Sequence, residues 1–239
     1  SRTEIPKEYQ SLFYLTDEQI SDELLLMTDH YTDELFWPAI TDSDEALVFP
    51  VSRLLVDPER FPDDDQEEMS KVGMGALYTR THSGKSLKNG EMRRKELLDR
   101  YFLSHHEALS VQVRESLFLT DEALIIDCHS FPRYPLPYEL DQTPVRPQIC
   151  IGVDEFHTPN ELIEALRDAF TSQELSVDIN APFSGSIVPL EYYRTDSRVH
   201  SVMIEVRLDG YMNELSGEKS SNFLNMQRII KEAISSLRN

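Results

Sequence analysis

From Asp121 onward the chain alternates short apolar runs with amphipathic segments, and this limits the possible folds more than any other feature. The stretches "ALIIDCHSFP", "QICIGVDE", "LSVDINAPFSG" and "HSVMIEVRL" read as strands. Between the second and third, "NELIEALRDAF" has apolar residues at helical spacing, as does the closing "SSNFLNMQRIIKEAISSLR". Several of the strand runs are apolar throughout, the pattern of strands covered on both faces. The expectation is an α/β fold built on a mainly parallel sheet between helices, with ligands bound beyond the carboxyl ends of the strands.

The first half is less regular. Thr16 to Phe36 places Ile20, Leu24, Leu25, Met27, Tyr31, Leu35 and Phe36 mostly three and four residues apart, behind a threonine suited to capping. It reads as one helix or two. "EALVFPVSRLLVD" (45–57) reads as two short strands, "PERFPDDDQEEM" as an acidic loop and 73–87 as an ordered loop, with helix resuming from about Asn89 to Ser110. No repeat or low-complexity linker divides the 239 residues, so one domain over 1–239 is expected, and 40% hydrophobic residues are enough for a substantial core.

Charge narrows the function. With 43 acidic against 23 basic residues the formal charge is −20, which argues against nucleic acid and against an anionic membrane as partners. An anionic ligand needs a local cluster of arginines or a metal ion to overcome that field. Two cysteines, Cys128 and Cys150, make no disulfide framework, and no run is long and apolar enough to span a bilayer, so the cytoplasm is the expected location. The first residues, "SRTEIP", carry no Met.

Polar residues stand where the apolar runs end: Asp57, His129, Asp154, Glu155 and Asn180. Each singly could be a turn or cap residue, but together they suggest a convergent edge. His129 has the chemistry of a metal ligand or general base whose second nitrogen is fixed by a carboxylate or carbonyl. Cys128 faces away from it by strand alternation and reads as packed and inert. With no nucleophile elbow, phosphate loop or His-Glu-x-x-His helix, metal-assisted hydrolysis is the chemistry that best suits an imidazole among carboxylates.

Glu205 lies among Val202, Ile204 and Val206, where burying a carboxylate costs several kcal/mol unless it is partnered or protonated. Two readings stand: a structural pair with Arg207 on the same face, or a general base of raised pKa. Arg53 and Arg60 bracket Asp57, and an arginine fork suits a carboxylate or a developing oxyanion.

The stretches "MTDHYTDELF", "VSRLLVDPERF", "GMGALYTRT", "DCHSFP", "INAPFSGSIVP" and "VHSVMIEVR" together resemble the N-formylglutamate amidohydrolase family, in that family's order and over most of the chain. The resemblance implies a mixed, mostly parallel sheet covered by helices on both faces, of the zinc-carboxypeptidase and aspartoacylase type, with one catalytic Zn2+. It implies His129 as a zinc ligand and Glu205 as general base, with Arg53 polarising the scissile carbonyl. The acidic zinc ligand is implied to come from "TDHYTDELF", Asp29 first and Asp33 second; the bland alternative is that both decorate a helix. Asp57 and Arg60 stand where aspartoacylase-like enzymes carry an Asp-x-Asn-Arg motif, here with Glu59 in place of Asn. Arg60, with Arg80, Asn180 or Ser184, would hold the carboxylates of a small anionic N-acyl amino acid.

The family opens with a strand ending in Pro-His-Ser, and this sequence begins at the corresponding Ser. The resemblance therefore places a first histidine ligand just before Ser1, a role that His30, His157 and His200 do not obviously fill. His157 reads as a substrate contact or as a cap for the following helix. Two further readings stay open: a zinc hydrolase of another N-acyl amino acid or peptide fragment, and a non-catalytic binding module on the same fold.

Overall fold

The computed structural model describes residues 2–238; Ser1 lies outside the described residues, and so does the expected histidine preceding it. In chain order the helices and strands are α1 (Lys7–Gln10), α2 (Asp17–Met27), α3 (Thr32–Phe36), α4 (Arg94–Leu97), α5 (Ser104–Thr120), β1 (Ala123–Phe131), β2 (Ile149–Gly152), α6 (Asn160–Thr171), β3 (Val177–Ile179), β4 (Val199–Arg207) and α7 (Phe223–Ser236). A π-helical stretch, Leu98–Leu103, joins α4 to α5. The chain divides into two compact units. The first comprises Ser1–His30, Leu47–Ala108 and Leu136–Gln142; the second comprises Tyr31–Ala46, Leu109–Pro135 and Thr143–Asn239.

In the first unit the core gathers Tyr9, Phe13, Met27, Leu54, Leu55, Val56, Tyr78, Leu87, Leu97 and Phe102. Helix α2 begins with a reciprocal capping box: the Thr16 hydroxyl accepts from the Gln19 N–H, and the Gln19 side chain accepts from the Thr16 N–H. The periodic stretch from Thr16 to Phe36 is two helices, because Tyr31 adopts a left-handed backbone (φ 60°) between α2 and α3. The strands expected over 45–57 do not form. "SRLLV" winds instead into a tight turn in which the Leu55 and Val56 N–H groups both donate to Ser52 O. Consecutive Leu54, Leu55 and Val56 are all buried, which a strand with one covered face cannot achieve.

The helix expected over 89–110 starts later and ends later. The Asn89 side chain accepts from the Glu91 and Met92 N–H groups, closing a local turn that keeps 89–92 out of the helix.

The second unit contains the sheet, in the order β1-β4-β2-β3. β1 pairs with β4 and β2 with β3 in parallel, while β2 and β4 are antiparallel. The fold is therefore α/β with a mixed, mostly parallel sheet. One face carries Val202, Ile204 and Val206 of β4, Ile149 and Ile151 of β2, and Ile126 and Cys128 of β1, packed with residues of α3, α6 and α7. Each fully buried aliphatic side chain there contributes about 1.5–3 kcal/mol. On the other face Ala123, Ile125 and Val199 pack with Val113 and Leu117 of α5. Further along, that same face turns polar, with Asp127, His129 and Glu205.

The reversal of β2 corrects one expectation. β2 and β3 run opposite to β1 and β4, so Asp154, Glu155 and Asn180 leave the sheet in the direction opposite to His129. No helix among the described residues is long and apolar enough to cross a membrane.

Candidate active site

The polar groups of interest form one cluster in each unit. In the first unit, the turn after Ser52 aims Arg53 and Asp57 while burying the leucines between them. Arg53 Nη2 lies 2.8 Å from Asp29 Oδ2, and Asp29 is only 3% exposed. Burial opposes the charge on Arg53, and Asp29 and Asp57 together hold it on.

Asp57, 1% exposed, is held from several sides. Its Oδ2 accepts from the Tyr78 hydroxyl at 2.5 Å and lies 3.7 Å from Arg60 Nε, and its Oδ1 accepts from the Glu59 N–H at 3.0 Å. Burial alone would raise the Asp57 pKa. Arg53, Arg60, Tyr78 and the Glu59 N–H outweigh it and keep the carboxyl below the ordinary aspartate value. Asp57 is thus an ionised anchor that orients Arg60, and burial holds Tyr78 protonated as its donor. His106 adds a further tie, donating from Nε2 to Pro58 O at 2.8 Å. Arg80 stands apart, exposed on a hairpin with Nη1 3.4 Å from Gly84 O.

In the second unit, β1 and β4 place His129 and Glu205 directly opposite one another, on the same face. His129 Nε2 lies 2.8 Å from Asp127 Oδ1, the carboxylate two residues earlier on that face. Asp127 is the residue that reading the sequence missed, although the i, i+2 spacing on a strand was the available signal. Glu205 is 6% exposed, and its partner on the other side is Cys150 of β2. Arg207, which the sequence offered as a mate for Glu205, is engaged elsewhere. Its Nε lies 2.7 Å from Asp209 Oδ1, and its Nη1 donates to the carbonyls of Arg146 and Pro147.

Of the other residues singled out, Asp33 is exposed in the first turn of α3, its carboxylate accepting from the Glu34 N–H. Asn180 turns its side-chain oxygen onto the N–H groups of Val153 and Gly185, and Ser184 is exposed in the same loop. That loop lies so close to β2 that a Cβ on Gly152 would stand 2.3 Å from Gly185 O. His157 is fully buried with both ring nitrogens used: Nδ1 donates to Val199 O and Nε2 accepts from the Arg194 N–H. Its role is to tie the start of α6 to β4 and the loop before it.

Neither cysteine is a nucleophile here. Burial pushes the thiols of Cys128 and Cys150 up to about 12, and Cys128 lies on the sheet face away from His129. The native protein at pH 8 is expected to leave the fully buried Cys150 unlabelled by a thiol-disulfide reagent and to label the half-buried Cys128 slowly, with both reacting at once in denaturant. Labelling in a mixing-limited phase without denaturant would contradict that burial.

The sequence model of the N-formylglutamate amidohydrolase family matches residues 1–212. The chain belongs to this family. The N-formylglutamate amidohydrolases are hydrolases acting on an amide C–N bond. The chain is similar in fold to the crystal structure of N-formylglutamate amidohydrolase from Ralstonia eutropha JMP134, with a TM-score of 0.74, 19% identity, and 98% of this chain and 87% of that one covered. It is also similar to the crystal structure of a gene product of Agrobacterium tumefaciens, with a TM-score of 0.64, 18% identity, and 99% and 88% covered. No curated protein matches the sequence.

Proposed function

We propose that this protein hydrolyses the amide of an N-formyl or closely related N-acyl amino acid, N-formyl-L-glutamate first among them, with zinc as its metal and Glu205 as general base. The observation that supports this most is the register of β1 and β4, which sets His129 against Glu205 on one sheet face within a family of amidohydrolases.

The donors suit zinc. His129 offers an imidazole, and the Asp127 carboxylate, 2.8 Å from its Nε2 on the same sheet face, is an oxygen donor to go with it. When bound, such a metal supplies Lewis acidity and makes water nucleophilic near neutral pH.

The protein's own residues then do the following. Glu205 takes the proton of the attacking water and delivers it to the leaving amine nitrogen as the C–N bond breaks, giving the free amino acid and, from a formyl substrate, formate. Arg53, fixed by Asp29, stabilises the negative charge that develops on the carbonyl oxygen. Arg60, oriented by Asp57, holds a substrate carboxylate.

Formate release from N-formyl-L-glutamate is expected to disappear with a chelator and return with added zinc. Metal binding without formate release would shift the reading to another N-acyl amino acid or peptide fragment, which Glu59 in place of the motif's Asn favours, and a panel of N-acyl substrates would identify it. Absence of both metal binding and turnover would favour a non-catalytic binding module.

A further inference from the structure

Lys88 is a charged residue buried in the middle of an apolar core, and no step above uses it. It is 3% exposed, it is bridged in antiparallel fashion to Phe13, and its ammonium lies 5.7 Å from the centre of the Phe13 ring. Such a side chain is costly to bury unless its donors are taken up. Its Nζ donates to two backbone carbonyls, those of Leu54 and Tyr78, each at 2.5 Å.

Both acceptors adjoin the polar cluster of the first unit. Leu54 follows Arg53 in the tight turn that presents Arg53 and Asp57. Tyr78 donates its hydroxyl to Asp57 at 2.5 Å, and Asp57 in turn faces Arg60. The segments on either side of Asp57 are also joined by the Asp57 N–H donating to Ala76 O. One ammonium therefore links the turn that carries Arg53 to the segment that carries the aspartate's phenol donor. Burial pushes the Lys88 amine well below its ordinary range, while Asp57 favours its charge.

We propose that Lys88 is a positioning residue for the arginine–aspartate cluster: by tying the carbonyls of Leu54 and Tyr78 together, it fixes the direction in which Arg53 is aimed. This inference rests on the proposed role of Arg53 in stabilising the transition state. A methionine at this position would fill the same space and leave both carbonyls without the donor, and a shift of about 1 Å in Arg53 is enough for about a 100-fold loss of rate.

The test uses the full-length, zinc-loaded protein and two variants. Lys88→Met is expected to fold and to lose about 100-fold in kcat for N-formyl-L-glutamate with KM within about threefold of wild type. Lys88→Gln keeps N–H donors on a shorter stem and is expected to lose only about tenfold. The second readout is independent of turnover: hydrogen exchange at the Arg53 Nε–H by NMR should be fastest in Lys88→Met and intermediate in Lys88→Gln. A purely structural role would lower thermal stability without separating kcat from KM and without moving that exchange.

A folded Lys88→Met variant with wild-type kcat and wild-type Arg53 exchange overturns the proposal. If Lys88→Met does not fold, Lys88→Gln decides: accelerated Arg53 exchange supports the tie and unchanged exchange refutes it. If the wild-type protein hydrolyses no N-formyl amino acid, the functional reading fails, and Arg53 exchange alone still decides whether Lys88 positions that side chain.

Discussion

Replacing Glu205 with glutamine is expected to lower kcat about 1,000-fold, within the range for loss of a general base, while leaving the fold and substrate affinity intact. The substitution keeps the side chain's shape, so β4 retains its packing and its register with His129 and Cys150. It also exchanges a buried carboxylate, in a residue 6% exposed, for a neutral amide. Burying a charge is more costly than burying an amide, so the melting temperature should hold or rise. That opposition separates two roles. A Glu205 that mainly holds the structure together would lose stability and keep its rate, whereas a base would lose rate and keep stability. Stopped-flow or coupled formate assays set beside thermal unfolding would distinguish them.

Arg53→Met is expected to act on both quantities at once. Loss of a charge-stabilising donor costs about 100- to 1,000-fold in kcat. Stability should fall by about 3 kcal/mol, because Asp29 loses the guanidinium 2.8 Å away and stays buried. The double variant Arg53→Met, Asp29→Asn removes the stranded charge. It should recover most of the stability and none of the rate if the role of Arg53 lies in the reaction. Denaturant unfolding and steady-state kinetics on the single and double variants would measure the two effects separately. Recovery of activity alongside stability would assign Arg53 to structure alone.

The parts of this protein that could be read from the sequence are those whose information is local. The apolar run in 123–131 and the mixed run in 199–207 announce β1 and β4, and the helical spacing in "NELIEALRDAF" announces α6. His129 and Glu205 stood out because each breaks an apolar run. The direction of β2 was not legible, since "ICIG" is apolar on both faces and looks the same whichever way the strand runs. The turn 52–57 resembles a strand in composition through Leu54, Leu55 and Val56, and only the hydrogen bonds back to Ser52 reveal the winding. Asp127, Tyr78 and Lys88 owe their places to partners in other segments or to a strand face, so no motif marks them.

The pairing of β1 with β4 has a consequence for biosynthesis. Ala123 is made long before its partner Val199, and β2, α6 and β3 are all synthesised in between. Contacts between such distant segments form slowly, because the intervening chain must first be closed into a loop. On the ribosome, therefore, a nascent chain carries β1 with its sheet edge unpaired until β4 has emerged from the exit tunnel. Translational pausing between β3 and β4 would prolong that exposure and increase the demand for chaperones.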